Sequence, residues 1–258
     1  MKIFEVFLDP HWQKLLQKNQ LADFSSIWDL KAEWFEEPNI RRGGWSGVVK
    51  QILQSPDGPI EIFIKRQEGH ISRTFLHPIT GLSTLRKEYA SIRRLQRCGV
   101  PTLETLYFAH TGNKAGKKAV LITLGLSEHV SLEEIDRATL SPVAKKTLLT
   151  AMATAVRTMH KHKLKHNCLY PKHIFVKQTT STWDVRIIDL EKMKRSLSQH
   201  GAMLKDLTTL VRHAGADWST RDLLYFLRAY CDDSVLSGGT KKLWHDIAAE
   251  VRRKKSRY

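Results

Sequence analysis

Lys165-His166-Asn167-Cys168-Leu169-Tyr170-Pro171-Lys172-His173-Ile174-Phe175-Val176, and beyond it Ile187-Ile188-Asp189-Leu190-Glu191, make a polar loop that runs into one apolar stretch and returns on another. The apolar runs Ile174–Val176 and Val185–Ile188, separated by Lys177 to Asp184, predict a β-hairpin whose returning strand ends in an acid. His173 and Asp189 then flank one end of that hairpin. A carboxylate with a second donor at such a place can hold a divalent cation beside a polyphosphate. Read singly, the same two residues also fit a hydrogen-bonded loop histidine and a turn aspartate.

Upstream of the loop, Ser141-Pro142 supplies a cap and a first-turn proline for a long helix whose apolar face runs Leu148, Met152, Val156, Met159. Towards the N-terminus the pattern changes from helical to strand-like, which predicts two lobes. Val48–Leu53, the turn Ser55-Pro56-Asp57-Gly58-Pro59 and Ile60–Lys65 read as a hairpin, with Gly43, Gly44 and Gly47 immediately before its first strand. Thr105–Ala109 and Ala119–Leu124, on either side of the polar stretch Thr111–Lys118, read as a second one. Between the hairpins, Leu85, Tyr89, Ile92 and Leu95 recur at helical spacing from Ser83 to Arg97, with Gly99 as the stop. Past the central loop the chain reads as helical, with Asp206 and Trp218-Ser219-Thr220 at helix starts.

Glu88 shares the apolar face of the helix from Ser83. A buried, unpaired carboxylate is expensive, so Glu88 calls for a cationic partner. Lys65, at the end of the apolar strand Ile62-Phe63-Ile64, has the complementary need. Pairing the two satisfies both and leaves the ammonium able to touch an anion; a purely structural ion pair fits the spacing equally well. The glycines at 43, 44 and 47 would let backbone N–H groups approach a phosphate, or serve turn geometry alone.

Glycine loop, strand lysine, helix glutamate, a polar loop with His and a second polar residue seven positions on, and an aspartate after a short hairpin follow one another in the order of protein kinases. From Arg41 to Tyr230 the chain resembles, in detail, the bacterial lipopolysaccharide kinase family, which includes Kdo and core-heptose kinases and InaA-like proteins. The likeness is carried by Tyr170-Pro171-Lys172-His173, with His where kinases carry Asn. It is also carried by Ile188-Asp189-Leu190 in place of Asp-Phe-Gly, by Lys205-Asp206-Leu207 and by Arg221-Asp222-Leu223-Leu224-Tyr225-Phe226-Leu227. The resemblance implies an α+β, two-lobed protein-kinase-like fold in a single kinase-like domain over 1–258. A small β-rich N-lobe would occupy about 1–126 and a larger, mainly helical C-lobe about 127–258. It further implies that Lys65 meets the α/β-phosphates of ATP, that Glu88 orients it, and that His173 and Asp189 hold Mg²⁺. Leu121–Leu126 and Ser131–Glu134 would flank the adenine. The implied acceptor is a sugar hydroxyl of the lipopolysaccharide core or another anionic envelope saccharide, on the cytoplasmic face of the inner membrane.

Where the kinase loop has His-Arg-Asp, this chain has His166-Asn167-Cys168, so a cysteine takes the place of the catalytic aspartate beside His166. An ordinary thiol titrates near ~8.5 and is a poor resident proton acceptor at neutrality. A general base contributes ~10²–10⁴ in rate, whereas phosphoryl transfer draws more on positioning and charge neutralisation, so the substitution predicts slow chemistry rather than none. Three readings follow. In the first, the phosphotransferase works with Cys168, Glu191 or Asp184 as base. In the second, the chain is a pseudokinase that binds nucleotide and regulates or scaffolds. In the third, it is a nucleic-acid or membrane-surface binding protein whose basicity is the whole story, which leaves Lys65, Glu88 and Asp189 unexplained. A Cys168–His166 hydrolase lacks an orienting acid.

The 258 residues carry 42 Lys+Arg against 26 Asp+Glu, a formal charge of +16. At roughly 100–200 residues per domain the length allows one large domain or a two-lobed unit, and 41% hydrophobic residues exclude wholesale disorder. The excess charge favours an anionic partner: ATP, a phosphorylated saccharide or an anionic membrane surface, with nucleic acid the least expected. Cys98, Cys168 and Cys231 form no paired framework, which suits a reducing cytoplasm. Neither the start of the chain nor its longest apolar run, Ala119–Leu126, reads as a secretory or spanning segment. The run Arg252–Arg257 reads as a solvated tail or a contact for anionic lipid.

Overall fold

The computed structural model describes residues 3–41, 43–74, 77–112, 118–215 and 218–255. The chain divides into two compact units, Met1–Arg93 with Leu103–Ser127, and Arg94–Thr102 with Glu128–Tyr258.

The first unit is built on a sheet of six antiparallel strands among the described residues, in the order β1-β7-β8-β4-β3-β2. They are β1 (Ile3–Leu8), β2 (Trp34–Arg41), β3 (Gly44–Ser55), β4 (Gly58–Glu68), β7 (Thr105–Thr111) and β8 (Lys118–Leu124). A separate ribbon, β5 (Ile71–Thr74) with β6 (His77–Ser83), leads into α3 (Thr84–Arg97). Two short helices, α1 (Gln13–Lys18) and α2 (Phe24–Trp28), lie between β1 and β2 in the chain. Val49, Ile62, Ile64, Val120 and Ile122 pack with Leu16, Leu21, Phe24 and Ile27 in one buried cluster. Alternation along β4 therefore sends Ile62 and Ile64 into this core and Lys65 to the opposite face. Both hairpins read from the sequence are present, as β3–β4 and β7–β8. Asn113 to Lys117 of the second turn lie outside the described residues.

Helix α3 ends where Gly99 adopts φ +68°, a left-handed conformation that costs glycine nothing, and the N–H of Val100 closes on the Leu95 carbonyl at 3.0 Å. The glycines at 44 and 47 do not precede the strand but lie within β3, because pairing with β2 and β4 continues through them. A side chain at Gly44 would meet the Glu68 carbonyl oxygen at 2.1 Å, and one at Gly47 would meet the Trp34 ring at 2.7 Å. Trp34 lies over that gap, and the buried guanidinium of Arg66 stacks on Trp34 at 4.6 Å. Gly43 alone is in the turn, at φ +75°.

The second unit is mainly helical: α4 (Pro142–Lys161), α5 (Gln199–Arg212), α6 (Thr220–Cys231) and α7 (Gly238–Lys255). Ser141 caps α4 by accepting the Ala144 N–H at 3.1 Å, with Pro142 in the first turn as the sequence predicts. Leu148, Met152, Val156 and Met159 are buried, and α4 packs on α6, whose inner face carries Phe226, Leu227 and Tyr230. The small strands are β9 (Val130–Ser131), β10 (Leu164–Lys165), β11 (Ile174–Gln178), β12 (Trp183–Ile187) and β13 (Lys194–Arg195). Asp206, expected at a helix start, instead lies in the middle of α5. Arg252 to Lys255, expected as a solvated tail, continue α7; Ser256 and Arg257 lie outside the described residues. Among the described residues no helix is long and apolar enough to cross a membrane.

Candidate functional site

In the first unit, Lys65 on β4 stands opposite Val48 of β3 and Leu121 of β8, and its Nζ reaches Glu88 Oε1 on α3 at 2.6 Å. Glu88 is 6% exposed and Lys65 26% in their side chains, so the carboxylate is enclosed and the lysine side chain is partly exposed. The pair inferred from two separate burial problems is thus formed.

In the second unit, β11 and β12 form the hairpin, and residues 166–168 lie just before it. His166 is fully buried. Its Nδ1 accepts the Cys168 N–H at 3.3 Å, so Nε2 carries the hydrogen and donates to the Ile188 carbonyl at 2.8 Å. Burial holds the imidazole below its usual pKa, against the raising influence of that carbonyl and of Asp206. A histidine with both nitrogens committed to backbone cannot shuttle a proton to a substrate. His166, expected beside Cys168 as a catalytic residue, ties the loop to the hairpin end through these two bonds.

Asp206 fixes the same loop from the other side. Its fully buried carboxylate accepts the N–H of His166 at 2.6 Å and that of Asn167 at 2.9 Å, and it lies 3.2 Å from Nε2 of the buried His160. His160 Nδ1 in turn accepts from the Tyr230 hydroxyl at 2.9 Å. Desolvation raises the pKa of that phenol, keeping it a donor. These bonds hold Asn167 at φ +69°, a conformation non-glycine residues adopt at a cost, and its Nδ2 donates to the Lys192 carbonyl at 2.8 Å.

The bend carries Cys168 to a nearly buried position whose carbonyl accepts from the Tyr170 N–H and from His173 Nδ1, both at 2.8 Å. His173 Nδ1 is therefore the protonated nitrogen, and Nε2 faces Asp189 Oδ2 at 3.3 Å. In a neutral ring this sets a lone pair against a carboxylate, which a proton or a cation between them resolves. Fixing one histidine nitrogen on a carbonyl is how proteins aim the other at a metal. The set of one imidazole and one carboxylate fits a divalent cation, with water and phosphate oxygens completing the shell. Asp189 sits at φ +57° and is 35% exposed in its side chain. Among the described residues no three His, Cys, Asp or Glu side chains gather as a metal cage.

Asp184, one of the substitute bases considered, is engaged elsewhere. It pairs with Arg186 at 2.9 Å and His129 at 3.1 Å, opposite Lys177, away from the Ile174–Ile187 end of the hairpin where His173 and Asp189 meet.

Residues 25–230 match the lipopolysaccharide kinase (Kdo/WaaP) family. The chain belongs to that family. It is 29% identical over 212 residues to protein InaA of Escherichia coli K12, covering 79% of this chain and 95% of the relative. The solved structure of WaaP in complex with acyl carrier protein superposes with a TM-score of 0.70 at 21% identity, over 98% of this chain and 99% of that one. The fold of this lipopolysaccharide kinase family member is therefore kinase-like, as the resemblance implies.

Proposed function

We propose that the chain works as one kinase-like unit, an ATP-dependent phosphotransferase acting on a sugar hydroxyl of the lipopolysaccharide core or another anionic envelope saccharide at the inner face of the membrane. The observation that carries this reading is the facing of His173 Nε2 and Asp189 Oδ2 at 3.3 Å, with the other histidine nitrogen locked on a carbonyl. In it, Lys65 contacts the α/β-phosphates while Glu88 holds its ammonium in place, and the turn at Gly43 offers backbone N–H groups. Magnesium, bound by His173 and Asp189, would neutralise charge on the transferring phosphoryl group. Cys168, or Glu191, takes the proton from the acceptor hydroxyl.

Cysteine at position 168 favours a second reading, a pseudokinase that binds nucleotide and regulates or scaffolds. Both require Mg·ATP binding, and only the first requires transfer. In the test, Mg·ATP raises the melting temperature of the parent and not of Lys65→Met, and radiolabel from γ-phosphate appears in lipopolysaccharide core. A shift without transfer selects the pseudokinase; no shift at millimolar nucleotide overturns both.

A further inference from the structure

No Asp or Glu occurs between Asp136 and Asp184, and none between Glu191 and Asp206. The two acid-free stretches meet in the second unit. Leu164 pairs with Arg195 and Lys165 with Lys194 in the β10–β13 ladder, and the Ser196 N–H donates to the Lys163 carbonyl at 2.7 Å. Lys163, Lys192, Lys194 and Arg195 are exposed around this ladder, with Lys161 at the adjoining end of α4. Among the described residues none of these cations, nor Lys165, forms a salt bridge. Like charges gathered without salt-bridge partners repel one another, and an anionic surface relieves that repulsion.

Leu197 is fully exposed, two residues beyond Arg195. A single exposed leucine needs no explanation on its own. Here it lies in the short segment joining the ladder to α5, beside uncompensated cations. An apolar tip among cations matches the headgroup boundary of a bilayer, where the side chain enters acyl chains and the cations meet phosphates. A soluble polyanion would use the cations and leave the leucine idle.

We propose that the face around the β10–β13 ladder and Leu197 docks on an anionic bilayer. This ladder is continuous with the candidate site: Lys165 precedes His166, and the Lys192 carbonyl accepts from Asn167 Nδ2. Docking there would set the 166–168 loop at the bilayer, where a lipid-anchored sugar acceptor lies. That consequence rests on the phosphotransferase reading, whereas the docking does not.

The test is co-sedimentation of the full chain with phosphatidylcholine vesicles, with and without phosphatidylglycerol. Binding should require phosphatidylglycerol and weaken with salt. Each removed cation should lower partitioning about fivefold, so the triple variant Lys163→Gln, Lys194→Gln, Arg195→Gln should lose about a hundredfold. Leu197→Ser should lose about tenfold. A control with equal charge loss elsewhere, Lys146→Gln, Lys241→Gln, Arg252→Gln, should bind as the parent does. Equal loss in the control, no loss in Leu197→Ser, or no vesicle binding by the parent overturns the proposal. The thermal shift with Mg·ATP, read on the same variants, separates failure of docking from failure of the nucleotide reading.

Discussion

His173 Nε2 faces Asp189 Oδ2 at 3.3 Å while its Nδ1 donates to the Cys168 carbonyl at 2.8 Å, so one imidazole links the backbone at the cysteine to the aspartate after the hairpin. Mg²⁺ prefers oxygen ligands, whereas imidazole suits later first-row ions, so this pair should accept Mn²⁺ at lower concentration than Mg²⁺. Titration of either ion into the protein with ATP, followed by melting temperature, should give a metal-dependent rise that Asp189→Asn abolishes and His173→Asn shifts towards Mg²⁺. An equal rise in Asp189→Asn would place the metal elsewhere.

Asp206 should matter more to stability than any exposed acid in the chain. Removing one partner of a buried charged network leaves the others unsatisfied, at a cost of about 3–5 kcal/mol. Asp206→Ala leaves the N–H groups of His166 and Asn167 and the His160 ring without their acceptor. Urea denaturation should show a loss of that order, against well under 1 kcal/mol for exposed Asp57→Ala. A loss below about 1 kcal/mol would show that the loop is held by other bonds.

Glu88 and Asp206 pose the same problem in the sequence, and only one was legible. Glu88 was readable as a buried acid because Leu85, Ile92 and Leu95 mark its face and Lys65 offered a partner of opposite charge. Asp206 lies four residues after Ala202 and four before Leu210, both buried, so the same stripe was present. Its partners are backbone N–H groups and a histidine from distant segments, which no charge pattern announces. The edge strands β1 and β2 are not legible in the sequence because their sides alternate weakly between apolar and polar, and pairing with β7 and β3 defines them. Gly44 and Gly47 were readable as glycines but not as packing sites, since the Trp34 ring that fills the space over Gly47 comes from a neighbouring strand.

The buried His166 gives the fold a dependence on acid. Its pKa is lowered by desolvation, so the folded state binds its proton less readily than the unfolded chain, where the ordinary value is 6.5. The stability it contributes is therefore full above about pH 6.5 and is lost as pH falls through the folded-state value. A single group of this kind gives a slope of at most about 1.4 kcal/mol per pH unit. His166→Gln, whose amide can still donate towards Ile188, should be less stable at pH 7.5 yet flatter between pH 6.5 and 5. Parallel curves for parent and variant would assign the acid sensitivity to other groups.

By the kinase resemblance Cys168 takes the loop position of the catalytic aspartate, and its backbone is held there by the bonds through His166 and Asp206 whatever its side chain is. Replacing it by aspartate changes the proton acceptor without removing a backbone partner, because the thiol contributes none of the bonds to His166, Tyr170 or His173. If the site lacks only an efficient base, Cys168→Asp should raise ATP turnover or transfer to lipopolysaccharide core by about 10²-fold or more, with Mg·ATP affinity unchanged. Cys168→Ser supplies the control: it keeps the size and adds no base, and it should match or fall below the parent. A rise in Cys168→Asp that disappears when Asp189 is also changed to Asn ties the gain to the metal-binding pair, whereas no rise with nucleotide binding intact sinks the idea that the site lacks only a base at position 168.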